Sequence, residues 1–158
     1  MNSTVDIPAM QQADAEAFDV IIIGAGLSGI GTAVRLQRDC PDRDFILLER
    51  REAIGGTWDL FRYPGIRSDS DMHTLGYDFK PWEAEKSIAD GPSILSYVNE
   101  TADEHRLRER IRFSQKLLAA DWCSERSQWQ LTVETPEGVR RYRCGFLMMC
   151  AGYYSYDQ

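Results

Sequence analysis

Three closely spaced glycines near the start of the chain directly follow a short apolar run. The run, residues 20–23, consists of four β-branched side chains, and Gly24, Gly26 and Gly29 come after it. Such a run bounded by glycine predicts a strand buried on both faces of a parallel sheet. Glycine permits a tight turn and has no Cβ to obstruct a ligand, and the N–H groups that begin a helix bind anions. The spacing therefore predicts a turn that holds a pyrophosphate group.

The elements that such a turn requires follow along the chain. Residues 30–34 give one apolar helix face, and a second apolar run, residues 45–48, ends at Glu49. Glu49 lies 49 − 29 = 20 positions after Gly29. At this spacing a carboxylate accepts hydrogen bonds from the hydroxyl groups of a ribose. A carboxylate would repel a 2′-phosphate, so we interpret Arg50 and Arg51 as solvated or paired with Glu52. These residues alone leave NAD and FAD both possible.

Later segments complete the predicted fold. A helix is expected from Ser93, as its N-cap, to about His105. Alternating residues at 116–122, 129–135 and 139–143 predict antiparallel strands, and residues 146–150 predict another buried parallel strand. The predicted architecture is α/β, a Rossmann-like doubly wound domain with an inserted antiparallel β-meander.

Composition limits the function classes. The 158 residues suit one domain, and the net charge of −7 argues against a nucleic-acid partner because the sequence has no basic stripe. No apolar run reaches the ~20 residues of a membrane span. Residues 1–17 predict a polar leader before a domain over residues 18–158, in a cytoplasmic protein.

The four cysteines form no C-x-x-C pair and the two histidines have no metal-ligand cluster, so we predict reduced, structural cysteines and no metal site.

Residues 55–72 have the glycine, proline and aromatic content of a shaped loop. G-G-T-W at 55–58, followed by R-Y-P-G-x-R-x-D at 62–69, resembles the class B flavoprotein monooxygenases. Within that class the motif is most similar to the Baeyer–Villiger enzymes of the ethionamide-monooxygenase type. The resemblance continues through K-P-W at 80–82, I-A-D-G at 88–91 and C-A-G-Y-Y at 150–154. It covers almost the whole chain after the leader.

The resemblance implies FAD as the first cofactor. It places the FAD pyrophosphate and ribose at the glycine turn and Glu49, the rest of the flavin along residues 56–60, and the adenine at Leu117. Asp69 is implied near the isoalloxazine ring as a catalytic residue that positions a cation, and Arg67, Ser68 and Asp69 are implied to touch NADPH. The implied cofactor-binding residues are Gly24, Gly26, Ser28, Gly29, Glu49, Gly56, Thr57, Trp58, Asp59, Leu60, Arg67, Ser68, Asp69 and Leu117.

The resemblance also implies an activity. Its members use NADPH and O2 to convert ketones to esters or lactones, or to oxidise sulfur. Members continue into an NADPH domain with an F-x-G-x-x-x-H-x-x-x-W signature and a catalytic arginine, which we do not find here. We therefore expect an amino-terminal FAD-binding portion that lacks the carboxyl-terminal portion of the enzyme, is inactive by itself and associates through exposed apolar surface. Alternatives are another two-domain flavoprotein, such as an N-hydroxylase, and a non-catalytic flavin-binding or interaction module.

Overall fold

A computed structural model describes residues 15–154 of the chain. Its elements are β1 (Glu16–Ile23), α1 (Leu27–Asp39), β2 (Phe45–Leu48), α2 (Thr57–Leu60), α3 (Met72–Leu75), α4 (Gly91–Glu104), a 3-10 turn (Leu107–Arg110), β3 (Ile111–Arg112), β4 (Lys116–Cys123), β5 (Gln128–Thr135) and β6 (Gly138–Met149). Residues 1–14 of the predicted leader lie outside the described residues. Its last two residues, Glu16 and Ala17, belong to β1 because they pair with β6.

The six strands form one sheet in the order β3-β2-β1-β6-β5-β4. β3, β2, β1 and β6 are parallel neighbours, and β5 and β4 add to β6 in antiparallel fashion. The prediction of a Rossmann-like α/β domain with an antiparallel meander is confirmed. The meander and the parallel sheet share a strand, because β6 runs unbroken for 12 residues where two strands were expected. Its first part pairs with β5 and its last part with β1.

The core has two layers. On one face of the sheet, α1 and α4 pack against β1 and β2 through Ile22, Ile30, Leu47 and Ile94. On the other face, residues of β5 and β6 cover β1 and β2. Burial of these apolar side chains contributes roughly 1.5–3 kcal/mol for each one. The prediction that residues 146–150 form a buried strand is wrong about burial. Phe146 and Met149 are 63% and 61% exposed and the other three residues are partly exposed, because β5 ends its pairing with β6 at Cys144.

Asp90, and not Ser93, caps α4. The Asp90 carboxylate accepts a hydrogen bond from the Ser93 N–H at 2.8 Å, and Pro92 lies in the first turn. Proline suits this position because its missing N–H would have no helical partner there. Within residues 15–154, no helix combines the length and apolar character needed to cross a bilayer. The same residues contain no His, Cys, Asp and Glu cluster that could hold a metal ion.

Candidate nucleotide-binding site

A cleft of about 520 Å³ lies at the carboxyl ends of β1, β2 and β6. Parallel strands on both sides of β1 place their carboxyl ends at the same edge of the sheet. In open α/β sheets, ligands bind in the crevice at this edge. The turn after β1, the residue after β2, the segment 55–58 and the residues after β6 line the cleft together.

The start of α1 gives the cleft an anion-binding end. Gly26 precedes the 13-residue helix, no side chain caps it, and its first turn contains no acidic residue. Gly26, Leu27 and Ser28 line the cleft. The first N–H groups of a helix have no helical acceptor and carry its positive dipole end, so a phosphate fits here.

The three glycines are required for different reasons. Gly24 has φ +103, and a Cβ there would lie 2.5 Å from the Cys150 carbonyl oxygen. A Cβ on Gly29 would lie 1.9 Å from the Gly24 carbonyl oxygen, so glycine lets α1 pack against the turn. Gly26 has φ −82, and its nearest neighbour would be the Cα of Gly56 at an ordinary 3.5 Å. The fold itself would tolerate a Cβ at Gly26. A glycine at this position therefore fits a close approach by a ligand.

Backbone donors hold the Glu49 carboxylate in place. Glu49 is 5% exposed, its Oε2 accepts the Ala25 N–H at 2.7 Å, and its Oε1 accepts the Arg51 N–H at 2.9 Å. Each carboxylate oxygen can accept two hydrogen bonds, so both retain capacity for a hydroxyl donor. Glu49 lines the cleft next to the glycine turn, where a ribose linked to the bound phosphate would lie.

Arg51 ties the segment 55–58 to this turn. Its Nη1 donates to the Gly56 carbonyl at 3.1 Å, and its Nη2 pairs with Asp59 at 2.5 Å. Arg62 pairs with the same carboxylate at 2.7 Å. The expectation that Arg51 is solvated or paired with Glu52 is therefore wrong. The Asp59 carboxylate lies close enough to neutralise part of both guanidinium charges.

Tyr77 supports the first turn of α1 from the opposite side. Its O–H donates to the Leu27 carbonyl at 2.7 Å. Burial raises the pKa of Tyr77 well above its usual range, so the hydroxyl keeps its proton. The Tyr97 hydroxyl accepts the Tyr77 N–H at 2.7 Å and completes this contact with α4.

The structure brings together most of the predicted cofactor-binding residues and separates the others. The cleft is lined by Gly24, Gly26, Ser28, Glu49, Gly56, Thr57, Trp58 and Leu117. Gly29 lies directly beneath the turn. Five of the predicted residues do not line the cleft: Asp59, Leu60, Arg67, Ser68 and Asp69.

Residues 67–69 form a separate loop. Ser68 is buried and its Oγ accepts the Ala89 N–H at 3.2 Å. Arg67 pairs with Asp90 in an isolated β-bridge, and the neighbouring Asp69 is exposed. This loop is therefore anchored to the start of α4, apart from the cleft.

Sequence reasoning missed Gln115 and Lys116, which also line the cleft. They follow β3, whose pairing with β2 carries them to Glu49, and the Gln115 N–H donates to the Glu49 carbonyl at 2.9 Å. The sequence predicts a short strand at residues 111–113 but not its parallel pairing with β2, so only the buried polar character of Gln115 in the fold points to this residue.

Comparisons with known proteins agree with this geometry. Residues 22–84 match the family model of the NAD(P)-binding Rossmann-like domain. Over 143 residues the chain is 55% identical to the FAD-containing monooxygenase EthA of Mycolicibacterium smegmatis, covering 90% of this chain and 29% of that protein. It is also 50% identical to the probable FAD-binding monooxygenase AlmA of an Acinetobacter species, covering 89% of this chain and 28% of that protein.

Solved structures give the same fold. An oxidised steroid monooxygenase bound to NADP superposes with a TM-score of 0.78 at 31% identity, covering 90% of this chain and 27% of that chain. The chain is therefore similar, over about 90% of its length, to part of proteins named FAD-containing monooxygenases. Among these flavin monooxygenases, an ε-caprolactone-bound cyclohexanone monooxygenase has a TM-score of 0.79 at 25% identity, with 89% of this chain and 28% of that chain covered. The chain thus spans about 29% of the length of its curated flavin monooxygenase relatives.

Proposed function

We propose that the cleft binds FAD. The observation that carries this proposal is the uncapped start of α1, which faces the open space at Gly26 beside the buried carboxylate of Glu49. The pyrophosphate would accept hydrogen bonds from the first N–H groups of α1, and Glu49 would accept the ribose hydroxyls. The relatives named FAD-containing monooxygenases support FAD as the nucleotide.

The segment 55–58 would cover the bound cofactor. The Gly55 N–H donates to the Ala25 carbonyl at 3.0 Å, and Arg51 holds the Gly56 carbonyl, so this segment is fixed against the turn. Thr57 and Trp58 would line the flavin side, and Leu117 the adenine side. Asp59 and Leu60 would act from α2 behind this surface, with Asp59 anchored by two arginines.

In the longer protein typical of its relatives, we propose that this portion serves an NADPH- and O2-dependent monooxygenase acting on a ketone or a sulfide. Bound FAD would supply the redox chemistry, taking two electrons from NADPH so that one oxygen atom enters the substrate and the other leaves as water. Asp69 would position a cation near the isoalloxazine ring, and Arg67 and Ser68 would contact the nicotinamide cofactor. All three residues lie in a loop outside the cleft. This position fits a role in which other parts of the longer protein contribute to the same site.

Flavin uptake tests the binding proposal. The protein is incubated with FAD, passed through a desalting column and examined for flavin absorbance in the protein fraction. We expect near-stoichiometric FAD in the parent protein, severe loss in Glu49→Ala and no loss in Glu52→Ala, whose parent side chain is exposed outside the cleft. A Glu49→Ala protein that folds and keeps full flavin occupancy would contradict the assignment of Glu49.

Product analysis tests the activity in the longer protein. We expect a ketone to yield an ester or lactone, with one NADPH oxidised for each product formed. An N-hydroxylated amine as the only product, with ketones and sulfides untouched, would instead assign the protein to the N-hydroxylases.

A further inference from the structure

A chain of hydrogen bonds runs from the surface of the sheet to the cleft. Arg112, on β3, is paired with Glu16 on β1 at 2.6 Å, and its Nη1 also donates to the Tyr142 hydroxyl at 3.1 Å. The Tyr142 hydroxyl donates to Oε1 of Gln115 at 3.0 Å. Tyr142 is 1% exposed, so this chain crosses the core between the antiparallel strands and β1.

The hydrogen bonds along this chain can run in only one direction. A guanidinium donates hydrogen bonds and cannot accept them, so the Tyr142 oxygen accepts from Arg112. The Tyr142 proton is then available for Gln115, and the atom that receives it must be the amide oxygen. This fixes the orientation of the Gln115 amide, which an isolated glutamine would leave open. The Nε2 group of Gln115 therefore lies on the side of the amide that faces away from the Tyr142 hydroxyl.

Gln115 lines the cleft, and its Nε2 group has no acceptor among the hydrogen bonds of the fold. Gln115 is 9% exposed and lines the cleft, while its backbone N–H donates to the Glu49 carbonyl. Within residues 15–154 no side-chain nitrogen or oxygen is both fully buried and without a partner, and the contacts of Gln115 give Nε2 no acceptor. The small exposed part of this residue thus includes a donor that the fold does not use.

We propose that Gln115 is an adenine-binding residue whose Nε2 donates to a ring nitrogen of the bound dinucleotide. This rests on the proposed FAD site, in which Glu49 receives the ribose. Gln115 is bonded to the backbone of Glu49 and lies two residues before Leu117, so it faces the part of the ligand attached to that ribose. Adenine ring nitrogens accept hydrogen bonds, whereas the ribose hydroxyls are donors already matched by Glu49. Tyr142 and Arg112 are positioning residues that hold the amide.

Gln115→Glu is the variant that tests the proposed Nε2 contact most directly. It keeps an oxygen that accepts the Tyr142 proton and preserves side-chain shape, but replaces the NH2 donor by a carboxylate oxygen. Isothermal titration with ADP and with inorganic pyrophosphate separates the base contact from the phosphate contact, because pyrophosphate carries no base. Gln130→Glu, on β5 outside the cleft, is the matched control for the added charge.

We expect Gln115→Glu to weaken ADP binding more than about tenfold, equivalent to about 1.4 kcal/mol, and to change pyrophosphate binding less than about threefold. Gln130→Glu should leave both affinities within about twofold of the parent, and all three proteins should melt at similar temperatures. Unchanged ADP affinity, or an equal loss for ADP and pyrophosphate, would overturn the role of Gln115 alone. Failure of the parent protein to bind ADP and FAD would overturn the proposed site together with this inference.

Discussion

Glu49 connects the fold to the proposed ligand at the scale of a single residue. Its two oxygens accept backbone N–H groups from the glycine turn and from Arg51, so the carboxylate orders both segments before any ligand arrives. Hydrogen bonds to a charged acceptor contribute roughly 1.5–3 kcal/mol. The same preorganised carboxylate can then receive ribose hydroxyls without moving.

The cysteines give a prediction at the same scale. Burial raises the pKa of the Cys144 thiol to about 11, whereas Cys40 is exposed. Because the thiolate is the reactive species, we expect iodoacetamide at pH 8 to alkylate Cys40 at least tenfold faster than Cys144 in the folded protein. Peptide mass spectrometry over time measures both rates, and unfolding in urea should remove the difference. Equal rates in the folded protein would contradict the burial of Cys144.

Some of these residues could be predicted from the sequence and others could not. Gly24, Gly29 and Glu49 were predictable because a βαβ unit places them by short-range spacing. The pairing of Arg51 with Asp59 depends on how the segment 55–62 folds back, and Gln115 reaches the cleft only through the pairing of β3 with β2. Such contacts are set by tertiary structure and leave no periodic signal.

At the scale of elements, the position of α1 decides the geometry of the site. The helix starts close against the β1 turn because Gly29 lacks a side chain, and Tyr77 holds its first turn from outside. Helix and strand patterns predicted these elements. The sequence did not reveal that β6 is continuous, because its apolar pattern changes where its pairing passes from β5 to β1.

Gly29→Ala tests this close packing. The added methyl group would lie 1.9 Å from the Gly24 carbonyl oxygen, so we expect a loss of about 3 kcal/mol or more in the free energy of unfolding. Urea denaturation followed by circular dichroism measures the loss. Gly26→Ala, whose Cβ would meet only an ordinary contact at 3.5 Å, should cost less than about 1 kcal/mol. Similar stability of the two variants would show that α1 does not pack as described.

The ion pair between β1 and β3 predicts a pH dependence. The hydrogen bond from Arg112 lowers the pKa of Glu16 below its ordinary value of 4.5. A lowered folded-state pKa means that this contribution to stability is present above pH 4.5 and is lost as the pH falls through the folded-state value. We therefore expect Glu16→Gln to lower the melting temperature at pH 7 and this difference from the parent to be smaller at pH 3. The same difference at both pH values would contradict this.

At the scale of the whole molecule, the two faces of the sheet are covered unequally. A groove of about 600 Å³ lies between α1 and the last part of β6, lined by Leu36, Phe146 and Met148 among others. Phe146 is 63% exposed in this groove. Exposed apolar surface of this kind favours association.

We expect the protein to self-associate as its concentration rises, and Phe146→Lys to reduce this because it places a charge in the groove. Sedimentation velocity at several concentrations measures the effect. Val139→Lys, which replaces an equally exposed residue at the other end of β6, should leave association unchanged. A parent protein whose sedimentation does not change with concentration would contradict this expectation.

The most direct test of the account is the FAD affinity of Gly26→Ala compared with the parent protein, measured by flavin fluorescence alongside thermal melting. The fold has room for a Cβ at this position, so stability should change little. The proposed pyrophosphate would meet that Cβ, so we expect FAD to bind the parent and to bind Gly26→Ala more than tenfold more weakly. Equal FAD affinity in the two proteins, or no FAD binding by the parent, would contradict the assignment of the glycine turn.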